Sequence, residues 1–406
     1  MIGVALRNMC EVCGNLVEGP TIDLGSHPLN DDMHRIGTSY KARRYRQEIQ
    51  LCTTCLTAHQ LHPVEKETLF FPEYRYRGSV TKDVLSGMED LIDNALQFYG
   101  DSKPLKVLDI GANDGSLLGI IKNKTGCETI GVDPTNAVLE SEGRIDHAYC
   151  EFFSKETANK IIENHGFPDV ITFTNVFAHI ENLPKLIEAV SLLLNQTNLL
   201  VIENHYLGSV LEKNQFDTFY AEHIRTYSST SFEYIAKNLG VDIKSIQFPR
   251  RYGGNIRVYM SRNPQYLPEK EKVDESNFPD RFTKIQSTYD NWLGNSLEQI
   301  NHILRNNPLV GKSCPARAVM LYSSLEMDSE KMLAVYEHPR SPKLGFCVPG
   351  TSIPIVSDSK LGQEQSQDMI LWSWHIAYEI VPYLKEIGYK GNIWSPLPSF
   401  HLLDKL

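Results

Sequence analysis

The chain has 406 residues, with 50 acidic against 40 basic side chains and a formal net charge of −10. At roughly 100–200 residues per domain, that length predicts two to four domains with sizeable cores. Hydrophobic residues at 41% and charged ones at 22% exclude a disordered chain, and the acidic surplus argues against sequence-independent binding to nucleic acid, which needs Lys and Arg to neutralise phosphates. No stretch approaches the roughly 18–20 apolar residues that span a bilayer. Met1 to Met9 is too short and too weakly apolar for a signal peptide, so a cytoplasmic protein is expected. In that compartment the eight cysteines are expected to be thiols or metal ligands rather than disulfides.

Two C-x-x-C pairs come first, Cys10/Cys13 and Cys52/Cys55. Each pair makes a tight turn presenting two sulfurs to one point, and together they predict a closed, structural tetrahedral zinc site. The bland alternative is four buried reduced thiols. A helix follows, with Val84, Leu85, Met88, Leu91, Ile92 and Leu96 at spacings of three and four. From Lys106 the pattern becomes strand–helix alternation, with strands expected at Val107–Ile110, Thr129–Asp133, Asp169–Phe173 and Asn198–Glu203, which predicts a parallel α/β sheet. A polar linker is expected over Arg262–Pro279, then a long amphipathic helix carrying Phe282, Ile285, Tyr289, Leu293, Leu297, Ile300 and Leu304. Beyond Pro308 a second α/β unit is expected, with strands at Ala318–Tyr322, Met332–Tyr336 and Met369–Trp372.

The first strand of the central unit runs into Asp109-x-Gly111-x-Asn113-x-Gly115 at a helix start. Gly111 permits a tight turn and Gly115 close helix packing. A dinucleotide fingerprint would want glycines at 113 and 116, where Asn113 and Ser116 stand, so a pyrophosphate grip is poorly matched. Asp109 and Asp114 would repel phosphate but suit a cationic ligand. Asp133 ends the next strand, where a carboxylate holds ribose hydroxyls in such folds. The combination resembles the S-adenosylmethionine site of class I methyltransferases; an ordinary Gly-rich turn is the alternative.

Several ordered motifs resemble the sugar C-methyltransferases of deoxysugar pathways. They include Cys10–Gly14, Asp23–Leu29, Cys52–Cys55 with Gln60, Tyr74–Tyr76, and the loop Leu108–Ser116. Asn175–His179, Phe216–His223, Tyr252–Arg257, Pro349–Ile355 and Trp374–Ile380 extend the match over nearly the whole chain. The resemblance implies an α/β protein of three parts: a small zinc-binding head (1–75), a class I methyltransferase domain (76–262) and a C-terminal Rossmann-like domain (310–406). Residues 263–309 form the linker and long helix. It implies S-adenosylmethionine and structural Zn2+ as cofactors, with Asp109, Gly111, Asn113, Gly115, Asp133 and Asn175 at the donor. The implied substrate is a nucleotide-linked 4-keto deoxysugar methylated at C3, with no nucleic acid or membrane partner and a monomeric or dimeric state. One departure is expected to alter the substrate handle. The Gly-Ala-rich loop and helix after the first strand of the C-terminal domain are replaced by Tyr322–Lys331, with the helix lost or very short.

Methylating carbon beside a ketone requires a base and donors aimed at the developing oxyanion. Tyr220, Glu222 and His223 supply these types within four residues. His223 is the expected base with Glu222 orienting it, and Tyr76 and Tyr220 the expected donors, Tyr74 being the alternative. His179 is expected where donor and acceptor meet, although it could be a core histidine. Two other readings stay open: a sugar O-methyltransferase, or a silent sugar-nucleotide-binding subunit.

Overall fold

The computed structural model describes residues 9–80, 82–100, 102–141, 143–266, 273–305, 308–361 and 367–403. It is an α/β protein built on three sheets. Part of the predicted linker, residues 267–272, lies outside the described residues. Among the described residues, no helix is long and apolar enough to cross a membrane.

The head is an antiparallel sheet of β1 (Thr21–His27), β2 (Tyr45–Cys52) and β3 (Thr57–Gln60), joined at its edge by β9 (Arg225–Thr226). The fourth strand therefore comes from the central part, two residues after His223. Ala58 pairs with Thr226 and His59 with Arg225, so the head is hydrogen-bonded directly to the segment that carries the candidate base. Arg225 adds an ion pair to Glu11 and donates to the carbonyl oxygen of Ile180.

The central sheet holds β4 (Lys106–Ile110), β5 (Glu128–Val132), β6 (His147–Tyr149), β7 (Val170–Thr174), β8 (Leu199–His205), β10 (Asp242–Gln247) and β11 (Asn255–Ser261). Their order is β10-β11-β8-β7-β4-β5-β6, with β11 alone running antiparallel to the others. β4, β5, β7 and β8 are buried along nearly their whole length, as the continuous apolar runs of a sheet covered on both faces require. Reversal of strand order at β4 opens a crevice at the carboxyl ends of β4 and β7, the expected ligand position in such a sheet.

The third sheet contains β12 (Leu309–Lys312), β13 (Met332–Glu337), β14 (Ile355–Ser357), β15 (Met369–Leu371), β16 (Ile393–Ser395) and β17 (His401–Leu402). It runs β14-β13-β12-β15-β16-β17, parallel except for the last pair. Here the expected strand at Ala318–Tyr322 is corrected: Ala318–Ser324 is a helix, and the first strand is Leu309–Lys312. A five-residue apolar run buried on all sides carries no period that separates strand from helix. The helix thought lost is therefore present, and the loop ahead of it is Ser313-Cys314-Pro315-Ala316-Arg317, not Tyr322–Lys331.

The long helix, Phe278–Leu304, buries Phe282, Ile285, Tyr289, Trp292 and Ile300. It ties the three parts together. Gln286 accepts from the backbone N–H of Asp23 at 2.8 Å, and Trp292 donates to the carbonyl oxygen of Pro396 at 2.7 Å. Phe216 of the central part packs on the same helix, its ring 5.1 Å from Tyr289 and 4.8 Å from Trp292.

Candidate active site

The carboxyl ends of the central and C-terminal sheets line one cleft of about 1290 Å³. A single small ligand fills roughly 300–1,000 Å³, so this volume suits two ligands side by side.

One half of the cleft is made by the loop after β4. Gly111 has φ +79°, and a Cβ there would lie 2.2 Å from Val176 Cγ2, so only glycine allows the close approach of β4 to the turn after β7. Asn113 is also left-handed, at φ 49°. Its backbone N–H donates to Asp133 Oδ2 at 2.9 Å, while its side chain clamps the preceding segment, accepting from Gly78 and donating to the Tyr76 carbonyl oxygen. Gly115 makes room for Ile145, as a Cβ there would sit 2.7 Å from Ile145 Cγ1. Asp133 accepts from the backbone N–H and hydroxyl of Thr135, and burial raises its pKa despite these bonds. Burial pushes Asp109 up to about 7, although the Thr172 hydroxyl donates to it at 2.6 Å. A cationic ligand would offset that cost. Burial also works against the Asp114 carboxylate, but hydrogen bonds from Ser116 and Ser79 outweigh it and lower its pKa. Asp114 thus fastens a neighbouring turn and does not line the cleft. Asn175, left-handed at φ 55°, accepts from Asn255 through Oδ1 and leaves its buried Nδ2 without a partner.

The other half is a cluster of rings. His223 donates from Nδ1 to the Thr218 carbonyl oxygen at 2.8 Å, which leaves the Nε2 lone pair free. Its ring lies 4.2 Å from Tyr220, 5.0 Å from His179 and 4.9 Å from His205. Burial, then the neighbouring His179, holds the His223 pKa well below the imidazole range, and burial takes His179 down to about 4. Phe70 stacks on His179 at 5.4 Å. Tyr76 meets Tyr252 hydroxyl to hydroxyl at 3.1 Å, and Tyr252 itself stands in the left-handed region at φ 55°.

The expected role of Glu222 as the orienting partner of His223 is corrected. Its carboxylate accepts from Asn30 at 2.7 Å and from the Tyr74 hydroxyl at 2.9 Å, and the Thr218 carbonyl orients His223 instead. Burial raises Glu222 to about 7. Tyr74, the alternative donor, lines the cleft with Tyr220 and Tyr76, but its hydroxyl is committed to Glu222. Sequence reasoning missed His205, Tyr252 and Asn30. His205 stood two residues past the fourth predicted strand, at the carboxyl end where ligands gather, and that position was a usable signal.

Arg317 braces the two halves of the chain. Its guanidinium makes a two-pronged pair with Asp217, at 2.6 and 2.8 Å, and donates to Gln215, the Thr218 hydroxyl and the Tyr252 carbonyl oxygen. Trp374 adds a donor to Asp217 at 2.9 Å. The C-terminal part therefore holds the turn that sets both the acceptor of His223 and the strained Tyr252.

In the head, the Sγ atoms of Cys10, Cys13, Cys52 and Cys55 all lie within 4.8 Å of one another. The spacings Cys10–Cys55 (3.4 Å) and Cys13–Cys52 (3.7 Å) fit the edges of a tetrahedron around a metal with sulfur at about 2.3 Å. His59 lies 3.3 Å from Cys10 Sγ as an outer partner. A second grouping, Glu128, His147 and His165, sits at the far edge of the central sheet, where the Lys106 ammonium already faces Glu128 at 3.8 Å.

Residues 82–246 match the methyltransferase domain family, and residues 250–398 match the C-methyltransferase C-terminal domain family. The C-methyltransferase NovU of Streptomyces niveus is 24% identical over 405 residues, covering 96% of this chain and 95% of NovU. Among solved structures, the PH0226 protein of Pyrococcus horikoshii OT3 shares 15% identity over 49% of this chain and 99% of its own, with a TM-score of 0.35. The plantazolicin methyltransferase BpumL shares 16% identity over 45% of this chain and 84% of its own, with a TM-score of 0.36. The protein is thus an S-adenosylmethionine-dependent methyltransferase. Both domain matches lie in order along one chain, as a relative of C-methyltransferases similar over its full length would have them.

Proposed function

We propose that the protein methylates the carbon next to the ketone of a deoxysugar, C3 of a nucleotide-linked 4-keto sugar, with His223 as the base. One observation carries this reading: a buried, neutral imidazole whose Nδ1–H is tied to the Thr218 carbonyl oxygen and whose Nε2 is left to accept a proton. Full-length similarity to a C-methyltransferase supports carbon over oxygen as acceptor. The sugar rests on the motif resemblance.

A neutral imidazole is a weak base toward a carbon acid, so the developing oxyanion must be stabilised as the proton leaves. The hydroxyls of Tyr220, Tyr76 and Tyr252 are the donors at hand. Proton transfer to Nε2 creates an imidazolium near the Arg317 cation, and the enolate's negative charge offsets that repulsion. His179 and Phe70 wall the ring from water, while Glu222 spaces Tyr74 and Asn30 beneath the sugar. Asp133 would hold the donor's ribose, with Gly111, Asn113 and Asn175 around the rest and Asp109 facing its positive charge. When bound, S-adenosylmethionine supplies an electrophilic methyl on a sulfonium.

Replacing His223 by Asn is expected to abolish turnover while the affinity for S-adenosylmethionine, read by calorimetry, stays within about threefold. Near wild-type turnover in that variant would reject the base assignment. Four thiolates leave no open position on a metal, so the proposed ion of the head is one structural Zn2+. Elemental analysis should find one zinc per chain; a folded, metal-free protein would remove the claim.

A further inference from the structure

Arg251 precedes β11 and lines the cleft, yet its side chain is only 4% exposed. Its Nε lies 3.3 Å from Glu203 Oε1, but Nε, Nη1 and Nη2 all lack a hydrogen-bond partner. Glu203 is already engaged elsewhere: Arg257 donates to its Oε2 at 2.6 Å and Asn255 to its Oε1 at 2.9 Å. Arg257 by contrast also reaches Asp90 and Gln247, and Arg317 is fully paired. Buried donors are nearly always satisfied, so a guanidinium left open toward a cleft marks a missing acceptor.

The fold makes room for this group. Gly87 sits inside the helix Lys82–Gln97, where glycine is unfavourable. A Cβ there would lie 2.5 Å from Arg251 Cδ and Nη1. On the other side the guanidinium lies over the Tyr252 ring, 5.1 Å from its centroid.

Strand order says which anion it serves. The carboxylate for the ribose, Asp133, follows β5, and the glycine loop follows β4, so the adenosine half lies on the β5 side. The methionine half of the donor must then extend toward β7 and β8. There Asn175, with its own unpartnered Nδ2, and Arg251 gather around Glu203. We infer that Arg251 binds the α-carboxylate of the methyl donor, with Asn175 Nδ2 as a second donor at the same end of the cleft. A planar guanidinium offers two parallel N–H groups to a carboxylate, which an ammonium does not.

Calorimetry on the zinc-loaded full chain tests this with two probes: S-adenosylmethionine, and its decarboxylated form, which keeps the adenosine and sulfonium. Arg251→Gln should weaken S-adenosylmethionine by roughly 30-fold, as expected for losing hydrogen bonds to a charged group. The same variant should bind the decarboxylated compound within about threefold of wild type, a result that also shows the pocket is folded. Arg251→Lys should recover part of the loss. An equal loss for both compounds, or no loss for either, would overturn the assignment. So would an unchanged donor affinity with a raised KM for the sugar substrate, which would place a substrate anion there instead. Failure of wild type to bind either probe would sink the donor site itself, a distinguishable result.

Discussion

The two halves of the cleft are built in opposite ways. The adenosine end of the proposed donor half is local: Asp109, Gly111, Asn113, Gly115 and Asp133 fall within 25 consecutive residues, and the backbone itself makes much of the cradle. The acceptor half is assembled from all three parts of the chain. Glu222 is held by Asn30 and Tyr74, 192 and 148 residues away, and the turn before His223 is held by Arg317, 100 residues on. The same strand–loop–helix position also serves different ends in the two α/β units. Gly111–Gly115 leaves room at a ligand crevice, whereas in Ser313–Arg317 Pro315 has no N–H, Cys314 N–H is taken by Glu337 at 2.7 Å, and Arg317 docks the domains. The Ser313 N–H is also taken, by the Tyr336 carbonyl oxygen at 2.9 Å, so this loop offers fewer open backbone donors than a Gly-rich one.

Breaking the brace should separate the halves most sharply. Arg317→Met leaves Asp217 buried and unpaired, a loss of about 3–5 kcal/mol in stability. Denaturant unfolding should report that loss, kcat should fall by more than tenfold through misplacement of Thr218 and Tyr252, and the affinity for S-adenosylmethionine should hold. Equal loss of donor affinity would mean the halves are not separable. The converse variant is Gly111→Ala, where backbone strain and the clash with Val176 together cost roughly 2–3 kcal/mol. Its donor affinity should fall about 30–100-fold. Proton exchange on the sugar should stay near wild type.

The smallest effect concerns pH. Glu222 titrates near 7 in the folded protein against 4.5 ordinarily, so the folded state favours its protonated form. Its contribution to stability is full below about pH 4.5 and is lost as pH rises through about 7. Glu222→Gln cannot ionise. Its melting temperature should match wild type at pH 5 and exceed it by a few degrees at pH 8. A lower melting temperature at pH 8 would place the carboxylate in a stabilising role.

This contrast also explains what could be read in advance. The central sheet, the donor loop, the cysteine pairs and the long helix announce themselves through spacing within short windows. The helix Ala318–Ser324 did not, because an apolar run without polar interruption has no face. Residues 220–223 were legible as chemical types, but not their partners: the acceptor of His223 is a backbone carbonyl, which no residue pattern marks. Arg251 and Gly87 stand 164 positions apart and gain meaning only when packed together.

Solvent deuterium exchange tests the base most directly. In D2O, with the keto sugar nucleotide and no methyl donor, the wild-type protein should wash deuterium into the position flanking the carbonyl, and the His223→Asn variant should not. Methyl transfer by a wild-type protein that never exchanges that hydrogen, or exchange that survives the loss of His223, would contradict the account.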